Sequence, residues 1–217
     1  MKLLLTSTGF SSPKIFQGFL DLMNSDSLQK SGEIKIAFIP SAAVSEEEKV
    51  HVDFARQELI SLGIKKENII DFHLDHEFSY GEIKDMDAMY VCGGNTFYLL
   101  HAMRVSNFYP VLFQFLQNNK VYVGVSAGSI VVTPSIAVAS VEPADPNEIG
   151  ITDFTGLGLV NFEVSPHVPE VVSYKSAQQY ATTTKNRVYA FDHHCALLVN
   201  GDEIRFVGDG QHRIYNE

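Results

Sequence analysis

Strand-like and helix-like segments alternate through the first 130 residues of this 217-residue chain. Short apolar runs rich in β-branched and aromatic residues are typical of buried strands, and each is followed by a segment with helix signals. Because consecutive strands joined by helices pair in parallel, this order predicts an α/β fold. We expect a mainly parallel sheet whose two faces are both covered by helices.

Capping and turn residues indicate where the elements begin and end. Ser45 and Glu48 match the Ser-x-x-Glu capping box of one helix, and Gly63 suits its end. Residues 142–146 predict an irregular excursion. The last three strands are expected to form an antiparallel meander that closes one side of the sheet. The predicted strands are 2–8, 34–40, 68–74, 88–92, 120–125, 159–164, 187–192, 196–200 and 204–207, and the predicted helices are 14–23, 46–62, 97–103, 109–118 and 169–182.

Length and composition predict one globular domain over residues 1–217. The formal net charge of -10 disfavours a nucleic-acid partner, which requires a basic face. Cys92 and Cys195 lie in apolar runs without metal-ligand spacing, so we expect buried thiols and no metal. No apolar run approaches the roughly 20 residues that cross a bilayer, so we expect a cytoplasmic protein without membrane contact, as a monomer or homodimer.

Residues 124–128, Gly-Val-Ser-Ala-Gly, join an apolar strand to a possible helix. This Gly-x-Ser-x-Gly pattern is typical of a nucleophile elbow, a tight turn that presents the Ser126 hydroxyl outward. Small residues at Gly124 and Gly128 let the chain close around the serine. The amide of Ala127, at the start of the helix, would lie beside an oxyanion formed when Ser126 attacks a carbonyl group.

A serine hydroxyl requires a base, and His167 is the best candidate among the histidines. It follows an apolar strand and Pro166, where a side chain can lean over the carboxyl edge of a parallel sheet. His193 and His194 stay open as alternatives, although adjacent residues on a strand point to opposite faces and cannot readily share a metal ion.

A carboxylate that orients the histidine is harder to assign. Glu142, in the loop after the Ser126 helix, is the first candidate, and Asp145 and Asp192 are its rivals.

A glycine pair, Gly93 and Gly94, ends another strand just before a helix. Backbone amides at such a turn can complete an oxyanion hole with that of Ala127. We expect Gly93, Asn95 and Thr96 to line the substrate site.

Taken together, four motifs resemble the peptidase E and cyanophycinase family of serine peptidases, in order along nearly the whole chain. They are Cys-Gly-Gly-Asn-Thr at 92–96, Gly-Val-Ser-Ala-Gly-Ser at 124–129, Gly-Leu-Gly-Leu at 156–159 and Ser-Pro-His at 165–167. The resemblance implies a glutamine-amidotransferase-like (flavodoxin-like) three-layer α/β/α sandwich. It also implies Ser126 as nucleophile, His167 as base, an acidic residue at or beside Glu142, and an oxyanion hole from Gly94 and Ala127.

The same resemblance suggests the substrates. Peptidase E hydrolyses short peptides with an amino-terminal aspartate, and cyanophycinase cuts a β-aspartyl-arginine polymer. We therefore expect a serine-type peptidase that hydrolyses small peptides, with an aspartyl residue before the scissile bond and no cofactor. Arg104, Lys175 and Arg187 are the candidates for binding the substrate carboxylate. The alternatives are an amidase or acyl transferase with the same nucleophile, and a catalytically silent relative that only binds ligands.

Overall fold

The computed structural model describes residues 1–24, 32–168 and 171–217. Most of the described strands form a seven-stranded main sheet, and the others form a three-stranded second sheet. The strands are β1 (Lys2–Thr6), β2 (Ile36–Ile39), β3 (Ile69–Asp71), β4 (Ala88–Val91), β5 (Val121–Val125), β6 (Glu163–Ser165), β7 (Val188–Phe191), β8 (Cys195–Asn200), β9 (Glu203–Gly208) and β10 (His212–Tyr215).

The main sheet has the order β3-β2-β4-β5-β1-β8-β9. The five strands from β3 to β1 in this order pair in parallel. β8 pairs with β1 in the antiparallel sense, and β9 pairs with β8 in the same way. The predicted α/β fold, with a mostly parallel sheet and antiparallel strands near the C-terminal end, is confirmed.

Helices flank the main sheet, and their start signals are visible in the sequence. The side chain of Ser12 accepts a hydrogen bond from Lys14 N at the start of the first helix, and Pro13 occupies its first turn. The predicted capping box of Ser45 and Glu48 is present at the start of the second. The helices are α1 (Pro13–Leu22), α2 (Glu46–Ser61), α3 (Tyr80–Ile83), α4 (Thr96–Val105), α5 (Phe108–Gln117), α6 (Ala127–Ile130) and α7 (Val171–Ala181).

The central strands β1, β2, β4 and β5 of the main sheet are buried on both faces, which explains why they are almost entirely apolar. In β1, Leu3 and Leu5 join the apolar core that contains α4 and α5, whereas Leu4 joins the core that contains α1. All three leucines are completely buried. Burial of one such side chain contributes about 1.5–3 kcal/mol, so each strand is fixed from both sides and the site at its carboxyl end has a rigid base.

The predicted antiparallel meander is wrong in its first strand. β7 leaves the main sheet and forms the second sheet with the order β10-β7-β6, parallel to β6 and antiparallel to β10. Asp192 directs the chain away from β7, because its carboxylate accepts hydrogen bonds from His194 N (2.9 Å) and Gln211 N (2.7 Å). Only β8 and β9 form the predicted hairpin.

The second sheet places the strand that precedes His167. β6 is shorter than the predicted strand 159–164 and ends at Ser165. Its buried Glu163 carboxylate accepts hydrogen bonds from Thr184 Oγ1 and Asn186 Nδ2, each at 2.7 Å, and from the Tyr180 hydroxyl. These bonds tie β6 to the end of α7 and fix the point from which His167 projects.

The first two residues of the predicted helix 169–182 lie outside the described residues, and the helix is present from Val171. Within the described ranges, no helix is long and apolar enough to cross a membrane.

Candidate active site

Ser126 lies at the carboxyl end of β5, directly before α6, in the turn that the sequence pattern predicts. Its backbone has φ 50° and ψ −109°, a left-handed conformation that costs a non-glycine residue about 1–3 kcal/mol. Backbone hydrogen bonds hold it, from Ser126 N to Thr6 O (2.9 Å) and from the amides of Ser129 (2.8 Å) and Ile130 (3.0 Å) to Ser126 O. The strained turn presents the serine hydroxyl to a cavity.

The two glycines that flank Ser126 are required by the close approach of backbone to backbone. A Cβ atom on Gly124 would lie 2.5 Å from the carbonyl oxygen of Gly128. One on Gly128 would lie 2.5 Å from the carbonyl oxygen of Val91, on the neighbouring strand β4. Any side chain at either position would therefore force the turn open.

His167 meets Ser126 from the second sheet. It follows β6 and Pro166 with a left-handed φ of 60°, and its backbone N–H donates to Ser7 Oγ at 2.8 Å. Its ring Nε2 lies 2.7 Å from Ser126 Oγ. The structure thus brings together the predicted nucleophile and the predicted base at hydrogen-bond distance.

The other ring nitrogen of His167 contacts an imidazole and a hydroxyl group. Nδ1 lies 3.1 Å from His193 Nε2 and 3.2 Å from Ser7 Oγ. If Nε2 accepts the Ser126 proton, Nδ1 carries the hydrogen and donates it to these partners. Thr8 Oγ1 donates to the carbonyl oxygen of His193 at 3.0 Å and helps to hold this residue in place.

Burial controls the protonation of the His167 ring. Its pKa is lowered to about 4, mainly by desolvation and to a smaller extent by the nearby His193 and His51 as potential positive charges. The ring is therefore neutral at physiological pH. A neutral imidazole with a free Nε2 lone pair is the state that a general base requires.

The structure does not bring Glu142 to His167. Glu142 is exposed and lines a smaller cavity of about 90 Å³ on the other side of the Ser126–His167 pair. Its rival Asp145 turns inward and accepts a hydrogen bond from Thr96 N (2.8 Å), while Asp192 binds the turn described above. Throughout the described part of the chain, no carboxylate hydrogen-bonds to either ring nitrogen of His167.

The glycine turn after β4 lies beside the serine, as the sequence predicts. A Cβ atom on Gly93 would lie 3.1 Å from Ser126 Cβ, and one on Gly94 would lie 2.3 Å from the Ala42 carbonyl oxygen. Gly94 also has φ +139°, a conformation that favours glycine. Within the described ranges, the amides of Gly94 and Ala127 have no hydrogen-bond partner, so both are free to bind a ligand.

Asn95 and Thr96 stabilise this turn through their own hydrogen bonds. The Asn95 side chain accepts from Tyr98 N (2.9 Å) and donates to Pro146 O (2.7 Å), so both of its polar atoms have partners. The buried Thr96 binds Asp145 through its amide and lines the smaller cavity. Of the predicted substrate-binding residues, Gly93 lines the larger cavity.

The larger cavity has a volume of about 460 Å³, and Ser126, His167 and His193 line it. Helix α2 forms the opposite wall with Phe54 and Glu58. No lysine or arginine of the described ranges lines this cavity, so none of the three cations predicted to bind a substrate carboxylate lies there. Nor do three or more potential metal ligands cluster anywhere among the residues that the structure describes.

This site occurs in a chain that matches the sequence profile described as peptidase family S51, over residues 3–207. The chain belongs to peptidase family S51. An uncharacterized peptidase of Pasteurella multocida is 33% identical over 93% of this chain and 95% of its own length. Peptidase E of Shewanella amazonensis is 31% identical over 79% of this chain and 74% of its own.

A solved structure shows that the S51 fold is shared. A protein from Listeria monocytogenes EGD-e, described as a candidate peptidase E, superposes with a TM-score of 0.74 over 94% of this chain and 96% of its own, at 24% identity. The resemblance to peptidase E that the four motifs predict is confirmed. As a member of family S51, the protein is a peptidase.

Sequence reasoning missed the contact of Ser7 with His167. Ser7 directly follows β1, and the register of β1 and β5 pairs Thr6 with Val125, so Ser7 and Ser126 end neighbouring strands. A prediction that β1 lies beside β5 would have placed Ser7 in the site. Sequence reasoning kept His193 open as an alternative base but did not predict its contact with His167. His193 lies between β7 and β8, which the sequence pattern assigned to one meander and which the structure places in two different sheets.

Proposed function

We propose that this protein is a serine-type peptidase that hydrolyses small peptides through an acyl-enzyme on Ser126. The observation that carries the proposal is the 2.7 Å distance between Ser126 Oγ and His167 Nε2, at the wall of a cavity in a peptidase of family S51. A serine and a neutral histidine at this distance form a nucleophile and its base.

The reaction begins with proton transfer. His167 Nε2 takes the proton from Ser126 Oγ as the oxygen attacks the carbonyl carbon of the scissile peptide bond. The carbonyl π electrons move to its oxygen, which becomes a tetrahedral oxyanion. We assign the amides of Gly94 and Ala127 to this oxygen, since both flank Ser126 and neither has a partner among the described residues.

Collapse of the intermediate releases the first product. The C–N bond breaks, and the leaving nitrogen takes the proton from His167 Nε2, which leaves an ester on Ser126. A water molecule then attacks the ester while His167 again acts as base, and the second product leaves with a carboxylate. The cycle restores the serine and the neutral histidine.

We propose that His193 and Ser7 orient the His167 ring, in the place where Glu142 was predicted. Their contacts with Nδ1 at 3.1 and 3.2 Å support this role, because a partner on Nδ1 fixes the tautomer whose Nε2 accepts the proton. Ser7 also binds the backbone N–H of His167 and so sets the position of the whole residue.

The substrate is proposed to be a small peptide, because a cavity of about 460 Å³ holds a few side chains. The preference for an amino-terminal aspartate stays a prediction, and the cavity offers it no lysine or arginine in the described ranges. A cytoplasmic location is part of the same proposal, since the two cysteines are free and buried, as suits a reducing compartment.

The test compares the purified protein with Ser126→Ala. The substrates are Asp-X dipeptides with matched Glu-X, Ala-X and β-aspartyl peptides. We expect the variant to lose several orders of magnitude in kcat while keeping its far-UV circular dichroism. Ser61→Ala, which changes an exposed serine, is the matched control.

Near-normal hydrolysis by Ser126→Ala would overturn the proposal. Labelling of Ser126 by a fluorophosphonate without turnover of any peptide would instead identify an amidase or acyl transferase. A protein that is not labelled, but whose Tm rises with peptide ligands, would be a binding relative.

A further inference from the structure

A buried tyrosine hydroxyl without a partner lies in the wall of the larger cavity. The Tyr90 side chain is 1% exposed, yet its hydroxyl has no hydrogen-bond partner within the described ranges. The same residue lines the cavity that contains Ser126. A buried hydroxyl without a partner destabilises the folded protein, and a ligand that bonds to it would remove this cost.

A carboxylate with a free oxygen lies beside this hydroxyl. Glu58 Oε2 accepts a hydrogen bond from Phe10 N at 2.9 Å, and among the described residues Oε1 has no partner. Burial raises the pKa of this group, which shows that water solvates it poorly. Glu48, the other carboxylate of the wall, is held in the capping box of α2, where its Oε2 accepts from the amides of Val44 and Ser45.

The two groups are neighbours in the cavity wall. Both lie against Gly9, since a Cβ atom on this glycine would lie 2.6 Å from Glu58 Oε2 and 2.8 Å from the Tyr90 hydroxyl oxygen. Gly9 has a φ of +88°, and a side chain there would collide with both oxygens. Because Glu58 and Tyr90 also line the cavity, one small cation that enters between them can contact both the carboxylate and the hydroxyl.

We propose that Glu58 and Tyr90 form a subsite that binds a primary ammonium group of the peptide substrate. The assignment rests on the proposed peptidase function and adds the chemistry that the cavity selects. An ammonium group has three donors and one positive charge, which match the free Glu58 oxygen and the acceptor oxygen of Tyr90.

The same subsite disfavours an acidic group. With a carboxylate in the wall and no lysine or arginine among the described lining residues, an aspartyl side chain entering here would meet repulsion without compensation. The ammonium group has two possible sources in a peptide, the free α-amino group of the first residue and the side chain of a lysine. Both present the same chemistry to Glu58.

Three pairs of short peptides, each differing by one ammonium group, distinguish these sources. The first compares a free with an acetylated amino terminus, and the other two compare lysine with norleucine at the first and at the second position. Hydrolysis is followed by chromatography for the wild type, Glu58→Gln and Tyr90→Phe. Glu47→Gln, an exposed carboxylate on the same helix, is the control.

The wild type should prefer the charged member of at least one pair, and the pair identifies the source. This preference in kcat/KM should fall roughly ten- to a hundredfold in Glu58→Gln and about tenfold in Tyr90→Phe, and stay unchanged in Glu47→Gln. Absence of a preference in all three pairs, or a preference that both variants retain, would overturn the subsite.

Two further readouts separate binding from folding and from catalysis. Tyr90→Phe removes an unpaired buried hydroxyl, so its Tm should equal or exceed that of the wild type while its ammonium preference falls. Hydrolysis of p-nitrophenyl acetate, which has no ammonium group, should depend on Ser126 in every variant. If that hydrolysis is independent of Ser126, the peptidase proposal fails; if it depends on Ser126 and no ammonium preference exists, only the subsite fails.

Discussion

Acid should inactivate this enzyme at a much lower pH than is usual for a histidine base. Burial lowers the pKa of His167 from 6.5 to about 4, with a smaller effect from His193. Because proton transfer requires the neutral ring, kcat/KM should follow the deprotonated fraction of the free enzyme. At pH 5, a base with a pKa of 4 is about 90% neutral, whereas one with a pKa of 6.5 is about 3% neutral. The two cases differ about thirtyfold in rate.

The lowered pKa of His167 also affects the free energy of unfolding, and proton linkage gives the direction of this effect. The unfolded chain binds this proton more tightly than the folded protein does, so protonation favours unfolding. The free energy of unfolding should therefore fall as the pH drops from 6.5 to about 4, by up to roughly 3 kcal/mol from this group alone. His167→Gln lacks this contribution, so the stability difference between the two proteins should change with pH over this range.

The assay is hydrolysis of p-nitrophenyl acetate between pH 4 and 8, read at the isosbestic wavelength of nitrophenol. This substrate has no group that titrates in the range, and far-UV circular dichroism at each pH excludes unfolding as the cause of lost activity. An acidic limb centred near 6.5 that persists in His193→Ala would refute the reasoning, because that variant removes the other ring in contact with His167. Such a result would mean that water solvates the His167 ring well and that burial does not lower its pKa.

Two other substitutions test the turn and the base. Gly128→Ala places a Cβ atom 2.5 Å from Val91 O, so it should lower the free energy of unfolding by about 1–3 kcal/mol, as measured by urea titration. Gly81→Ala is the control, because its Cβ atom would have its nearest contact 3.7 Å away and should leave the free energy of unfolding nearly unchanged. His193→Ala removes an Nδ1 partner of His167 and a source of positive charge, so kcat should fall about tenfold or more. In the same variant, the acidic limb of the rate profile should move to higher pH.

The fold could be predicted because burial on both faces leaves a direct record in the sequence. The residues of β1 are apolar in succession, since Leu4 packs on one side of the sheet and Leu3 and Leu5 pack on the other. The role of Ser126 in the turn could also be predicted from the sequence, because the turn allows nothing larger than glycine at two nearby positions. Such constraints act within a few residues of the chain.

The environment of His167 could not be predicted in the same way. Its partners are 160 residues earlier (Ser7) and 26 residues later (His193), and their contact depends on which strands are neighbours. An apolar run shows that a strand is buried but not which strand it pairs with. The predicted contact between Glu142 and the His167 ring is not seen, for a related reason. Asp145, three residues later, turns inward and binds Thr96 N, and the Glu142 side chain is left exposed.

A base without a carboxylate partner changes where the site must stabilise charge. A fixed carboxylate on Nδ1 would stabilise the imidazolium form of His167 before, during and after attack. Within the described ranges, Nδ1 contacts only a serine hydroxyl and another imidazole, so the ring stays neutral in the free enzyme. In the proposed mechanism, the charge that most favours its protonation is then the oxyanion beside Ser126. Stabilisation present only in the transition state lowers the barrier without tightening ground-state binding, which is how this arrangement can support turnover.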